Sequence, residues 1–282
     1  MFFIFKAVQK ILIPIIVYMM FLRNSMVRTM SFNSQRLTNS GLHYGNPRQM
    51  NPILISIEGN IGAGKTTLLK NLRERMTDWN FIDEPVATWN DIKNEEGDSI
   101  LEIFYKDRKR WSYTFQNCAL LTRYQNIESA VESARQSGKL GNQVFFTERC
   151  LDTDYHVFTN MLHAEGSIDK LELHLYRRLL SQLKKTATPL NAIIHVNTKP
   201  SICSGRIAQR ARSGEEAISL EYLTSLDAHQ TSWIQNTELP TLSTDMTRTT
   251  VEVEKFVQDL LIEASSLIGP SGSTSPPHQH FN

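Results

Sequence analysis

The chain has no Asp or Glu before Glu58, no Cys-x-x-Cys pair, and no uninterrupted apolar run long enough to span a bilayer. Its three cysteines, Cys118, Cys150 and Cys203, are odd in number and widely spaced, which excludes a disulfide scaffold and a zinc ribbon and implies a reducing compartment. The formal net charge is only +1, so no basic field is available to hold a nucleic-acid polymer. The most apolar stretch, "ILIPIIVYMMFL" at 11–22, is interrupted by Pro14 and too short for stable membrane insertion. Repeats at solenoid periods are missing as well.

What is present begins at "ILISIEGNIGAGKTTLLKNLRERM". Gly59-Asn60-Ile61-Gly62-Ala63-Gly64-Lys65-Thr66, followed by Thr67, fits G-x-x-x-x-G-K-[ST] between an apolar strand and a segment with helical spacing. Glycines there let backbone N–H groups close around phosphate oxygens at the positive end of a helix. Lys65 adds a point charge, and the Thr66 hydroxyl can serve Mg²⁺. The expected ligand is a nucleoside triphosphate. Neither a water-orienting glutamine of a switch GTPase nor guanine-specifying motifs accompany the loop, and a motor is normally much longer.

A kinase requires a group to receive a hydroxyl proton and cations around the transferred phosphoryl. In "WNFIDEPVATW" an extended segment at 80–83 ends at Glu84, with Pro85 opposing an immediate regular helix. In "NQVFFTERC" a core strand ends at Glu148 and Arg149. Ligands of open α/β sheets lie beyond the carboxyl ends of the strands, so all three side chains are aimed at one crevice. Glu84 is the candidate general base, Arg149 a stabiliser of the phosphoryl, and Glu148 a partner of Mg²⁺ through water.

The pattern over residues 110–137 is one long helix on which Gln116, Ala119 and Arg123 share a face, with Phe115 beside them to stack on a base. The Gln116 amide offers a donor and an acceptor to one base edge. In "RIAQRAR", Arg206, Arg210 and Arg212 fall within two helical turns and repel unless anions lie between them, which points to a phosphate-facing lid.

Together, "IEGNIGAGKTT", "DEPVATW", "FYKDRKRWSYTFQ", "TERC" and "RIAQRAR" resemble the deoxyribonucleoside kinases over about residues 53 to 240. The resemblance implies an α/β P-loop kinase fold with about five parallel strands, flanking helices and an arginine-rich lid. It implies transfer of the γ-phosphate of ATP, or of another triphosphate, with Mg²⁺, to the 5′-hydroxyl of a deoxynucleoside. Trp89 and Phe158 then line the nucleoside pocket, and Tyr105 and Glu215 bind the 3′-hydroxyl. Arg123 and Asp154 form a charged pair against the exocyclic edge of the base, found in deoxycytidine and deoxypurine members, where thymine's methyl group would clash. A homodimer through the helices at 110–137 and 169–186 also follows. Gly214, Cys150 and Asp152 depart from the family pattern. A broad-specificity or thymidine-type enzyme is the alternative within the family. The competing class, an idle nucleotide binder, has no need of Glu84 and Arg149, and a nucleoside-monophosphate kinase needs cations for an acceptor phosphate.

One catalytic domain is expected at 51–268, because 282 residues with 40% hydrophobic content supply one sizeable core. His195 and Trp233 read as core packing. The segment 1–50 carries Lys6, Lys10, Arg23, Arg28, Arg36 and Arg48 without an acid, a transit-peptide composition that points to mitochondria. A start at Met26 or Met30 would leave the chain in the cytosol or nucleus. The tail 269–282, rich in Gly, Ser and Pro, is expected to be disordered.

Overall fold

A computed structural model describes residues 52–137, 143–212, 214–245 and 249–266. The leader-like segment 1–50 and the tail 269–282 lie outside the described residues. Five strands form one sheet: β1 (Ile53–Glu58), β2 (Asn80–Ile82), β3 (Val144–Glu148), β4 (Leu190–Val196) and β5 (Thr241–Thr244). Their order is β2-β3-β1-β4-β5, and every neighbouring pair is parallel. Each connection therefore returns through a helix, and all carboxyl ends open on one edge.

β1 is buried along its whole length. Its residues alternate between two faces, as the pleat requires. Leu54 and its register partner Phe145 pack with Ile127, Val131 and Ala134, while Ile55, Ile57 and Phe146 join Leu68, Leu69 and Leu72 in the main core. The latter leucines lie on α1 (Lys65–Arg75), whose last turn carries Arg73 and Arg75 where the helix dipole favours cations. β1 and α1 are joined by the glycine-rich turn, which is tight on both sides. A Cβ at Gly59 would stand 2.6 Å from the Val196 carbonyl, and one at Gly62 would stand 2.7 Å from that of Cys203. Both glycines also have positive φ, so no larger residue fits.

After β2 the chain forms α2 (Val86–Asp91), with Pro85 in the N-cap position. A helix thus begins directly after Glu84, contrary to the expectation drawn from Pro85. Proline is well suited to a helix start, where its missing N–H has no intrahelical partner to lose. The strand itself stops at Ile82, one residue early. Next come α3 (Ile100–Lys106), opened by a reciprocal capping box of Ser99 and Glu102, and α4 (Arg108–Gln136), capped by Asp107. The face of α4 bearing Phe115, Gln116, Ala119, Arg123 and Ile127 is buried, as its spacing predicts.

β3 leads into α5, which runs through Leu151–Thr153, a π turn at Asp154–Thr159, and Asn160–Ala164. α6 (Lys170–Lys184) precedes β4, and α7 (Pro200–Arg210) follows it. A short 3₁₀ turn at Glu215–Ala217, α8 (Leu220–Asn236), β5 and α9 (Thr249–Ser266) complete the domain. His195 is buried in β4, and Trp233 is buried in α8 with its ring parallel to that of His156. No helix among the described residues is long and apolar enough to cross a membrane.

Candidate active site

Strand register brings the acidic and basic side chains together. Ile82 pairs with Thr147 and Ile57 with Glu148, so Glu84, two residues past Ile82, emerges level with Arg149. A cavity of about 470 Å³ opens beyond these strand ends. Ile61, Gly62, Gly64, Lys65, Thr66 and Thr67 line its phosphate-loop end, together with Glu84, Glu148 and Arg149. Trp89, Tyr105, Phe115, Gln116 and Ala119 line the rest, with Arg123, Asp154 and Phe158. Arg206, Arg210, Arg212 and Glu215 lie along the lid side.

Gly59, Asn60 and Ala63 do not line the cavity. Asn60 instead ties the loop to α8, its Nδ2 donating to the Leu223 carbonyl at 2.8 Å, while its Oδ1 accepts from Ile61 N–H at 2.8 Å. Lys65 Nζ donates to the Asn60 carbonyl at 2.9 Å and lies 3.7 Å from Glu148. Burial, reinforced by the Arg149 charge, lowers the Lys65 ammonium to about 8 against the pull of Glu148. The Thr66 hydroxyl donates to Glu148 Oε2 at 2.8 Å.

Glu84 sits between two guanidiniums, with its Oε1 3.2 Å from Arg149 Nε and 3.2 Å from Arg123 Nη2. Burial would push this carboxyl up, but Arg149 and Arg123, with Lys65 behind them, outweigh it and hold Glu84 below the ordinary carboxylate range. Arg123 also meets Asp154 at 3.0 Å, and these two carboxylates overcome the burial of the guanidinium and fix its charge. Arg149 has a left-handed backbone, φ 66, which is uncommon for a long side chain and marks a position held by its surroundings. Its guanidinium stands over the Phe158 ring at 4.7 Å.

Aromatic rings enclose the other end. Phe115 stacks on Phe104 at 4.6 Å and meets Trp89 edge-on at 5.3 Å, and the Trp89 indole N–H donates to Thr122 Oγ1 at 3.0 Å. Two buried polar atoms on the cavity wall, Gln116 Oε1 and Arg149 Nη1, have no partner among the described residues. Buried donors and acceptors are rarely left unpaired, so both are suited to a ligand. The Tyr105 hydroxyl is pushed well above its ordinary range by burial and then by Tyr222, which keeps it a proton donor.

The lid arginines do not stand free. Arg206 donates to the Ala63 carbonyl at 2.8 Å. Glu215 accepts two bonds from Arg210, both at 2.7 Å, and one from Arg212 at 3.3 Å. Glu215, the residue the resemblance directed at a sugar hydroxyl, is thus the anion between Arg210 and Arg212, while Arg206 has no part in that pairing. Gly214 has φ 84, and a Cβ there would meet Glu102 Cγ at 2.9 Å, which accounts for a glycine at this departure from the family pattern. Asp152 is turned away from the cavity toward Lys184 and His156. Cys150 is buried against Thr153.

Sequence reasoning missed Leu101 and Phe104, which complete the apolar wall. They precede Tyr105 by four residues and one on α3, a helical spacing that could have revealed Leu101. Glu58 was missed too. It is fully buried at the end of β1, and its Oε1 accepts from the Ser56 and Thr153 hydroxyls. The signal was an acid inside an apolar strand.

A phosphate loop and an aromatic chamber joined in one cavity, with a carboxylate and arginines between them, define a P-loop phosphotransferase acting on a small-molecule acceptor. The chain belongs to the deoxynucleoside kinase family, whose pattern it matches over residues 55–268. It is an ATP-dependent enzyme that phosphorylates deoxynucleosides. Deoxycytidine kinase 2 of Gallus gallus is 34% identical over 196 residues, spanning 64% of this chain and 73% of that protein. Deoxycytidine kinase of Homo sapiens is 31% identical over 205 residues, or 66% and 77% of the two chains. Mitochondrial deoxyguanosine kinase of Xenopus laevis is 30% identical over 201 residues, or 66% and 75%.

Proposed function

We propose that the enzyme phosphorylates the 5′-hydroxyl of deoxycytidine or a purine deoxynucleoside and disfavours thymidine. The observation that carries this reading is the buried Arg123–Asp154 pair at 3.0 Å, lining the same cavity as Phe115 and as Gln116, whose Oε1 has no partner among the described residues. The pair fills the wall with charge where a methyl group would need apolar space, while hydrogen-bonding groups face an exocyclic amine or carbonyl. The names of the relatives support a deoxycytidine or deoxyguanosine substrate.

In this reading Glu84 receives the 5′-hydroxyl proton, and Arg149 binds the reacting oxygen and phosphoryl. Tyr105, and Glu215 once released from the arginines, hold the 3′-hydroxyl. Lys65, the loop N–H groups and Arg206, Arg210 and Arg212 surround the phosphates. The Thr66 hydroxyl and the Glu148 carboxylate, 2.8 Å apart beside the loop, are hard oxygen donors of the kind Mg²⁺ takes. When bound, Mg²⁺ neutralises phosphate charge.

We further propose a homodimer through α4 and α6, where Leu171 and Leu175 form an exposed apolar stripe. Residues 1–50 act as a mitochondrial leader in this proposal, on their acid-free composition and the mitochondrial relative. A start at Met26 or Met30 would leave the chain in the cytosol or nucleus. The substrate reading is tested by kcat/KM for the four natural deoxynucleosides in wild type and in Arg123→Met with Asp154→Ala. Removing both charges together avoids leaving one buried and unpaired. The double variant should gain thymidine relative to deoxycytidine and deoxyadenosine. An unchanged ratio in a folded, active variant would remove the pair from the selective wall.

A further inference from the structure

Every nitrogen of the Arg123 guanidinium is engaged. Nε donates to Asp154 Oδ2 at 3.0 Å, Nη2 to Glu84 Oε1 at 3.2 Å, and Nη1 to the Glu148 backbone carbonyl at 2.8 Å. The residue is only 2% exposed, so water does not compete for these bonds, and its free side faces the cavity. A guanidinium is a flat, rigid fork. Motion that tightens the Asp154 contact therefore alters the Glu84 contact, and the third bond pins the pivot to the end of β3.

We infer that Arg123 is a positioning residue for phosphoryl transfer as well as part of the base wall: it carries the seating of the nucleobase to the Glu84 carboxylate. The inference rests on the reading of Glu84 as the group that accepts the 5′-hydroxyl proton. In the transfer, the 5′-oxygen bonds to the γ-phosphorus, the bridging oxygen leaves with ADP, and the hydroxyl proton passes to a Glu84 oxygen. Glu84 Oε1 is shared by Arg123 and Arg149. A carboxylate held by two guanidiniums on one oxygen is well oriented: the lone pairs of Oε1 are occupied, and the direction of Oε2 is set by how the two guanidiniums hold its neighbour. A base that engages Asp154 and Gln116 correctly sets the fork, and with it the direction and availability of the Glu84 oxygens. An ill-fitting base leaves the fork on its three protein partners, or displaces it.

Base discrimination is then exercised through kcat, with binding energy from the remote end of the substrate used at the reacting centre. A base wall that acted by fit alone would discriminate through KM. The decisive substrate is 1,2-dideoxyribose, which has the 5′-hydroxyl and no base. Wild type should turn it over with a kcat at least about tenfold below that for deoxycytidine, at saturating concentrations of both. In Arg123→Met with Asp154→Ala this gap in kcat should close, because Glu84 no longer depends on the base. Arg123→Lys keeps one charge without the fork and should also lose the gap, while ATP affinity measured by calorimetry stays near wild type and reports an intact fold. Equal kcat for the two substrates in wild type, with only KM raised, would overturn the inference. So would a gap that persists in both variants. Glu84→Gln separates this from the underlying reading: if turnover survives that change, the proton acceptor is misassigned, whatever the Arg123 variants do.

Discussion

At the scale of single residues, the site is a set of buried charges whose protonation follows from their neighbours. Glu84→Gln preserves shape and removes the proposed proton acceptor, so turnover should fall at least about a hundredfold while ATP binding persists. Single-turnover measurement beside ATP calorimetry checks this, and near-normal turnover would exclude Glu84 as the base. Lys65, lowered to about 8, is part-deprotonated at pH 8 in the free enzyme. Triphosphate oxygens favour its charged form, so ATP binding at pH 8.5 should take up a proton, seen as a binding enthalpy that varies with the ionisation enthalpy of the buffer. Glu58 behaves in the opposite sense to Glu84. Burial raises its carboxyl pKa despite Arg149 nearby, so the folded state holds a proton that the unfolded chain releases near the ordinary value. Its contribution to stability is present below the unfolded pKa and is lost as pH rises through the folded one. Glu58→Gln, which mimics the neutral acid, should therefore flatten the fall in Tm above about pH 5.

At the scale of elements, the lid and α3 form one unit. α3 carries Tyr105, and the turn after α7 rests Gly214 against Glu102 on the same helix. Gly214→Ala needs a left-handed alanine and a displaced Glu102 side chain, at a cost of about 1–2 kcal/mol for the backbone alone. The loss should appear as a raised KM for ATP together with a raised KM for the nucleoside, since both ends of the lid depend on this seat. A change in the ATP term alone would show that the lid acts independently of α3. The bonds from Arg210 and Arg212 to Glu215 give this segment an internal counter-charge, which phosphate would replace in the proposed lid role.

For the whole molecule, the sheet is a frame that opens all its strand ends on one side. If the proposed dimer forms through α6, the wild type should sediment as a dimer and Leu171→Arg with Leu175→Glu as a monomer without unfolding, because both side chains are exposed in the single chain, at 68% and 45%. An unchanged sedimentation coefficient would place the interface elsewhere. A reporter fused to residues 1–50 should enter mitochondria, and a diffuse cytosolic signal would favour an internal start.

The sequence by itself determined the phosphate loop, the apolar strands and the buried face of α4, because these follow from local spacing: period two, period 3.6, and glycines where backbone must approach backbone. It also placed Glu84, Glu148 and Arg149 at strand ends, and a parallel sheet carries such residues to one edge. Only the tertiary structure decided how their charges are shared. Arg123 lies 39 residues from Glu84 and 31 from Asp154, and the three meet through the register of β2 on β3, the phase of α4, and a π turn that begins at Asp154. The same holds for Glu58 and Thr153, 95 residues apart, and for Glu215 turned onto the lid arginines. Such contacts depend on distances between separate elements to within an ångström, and local periodicity carries no information at that range.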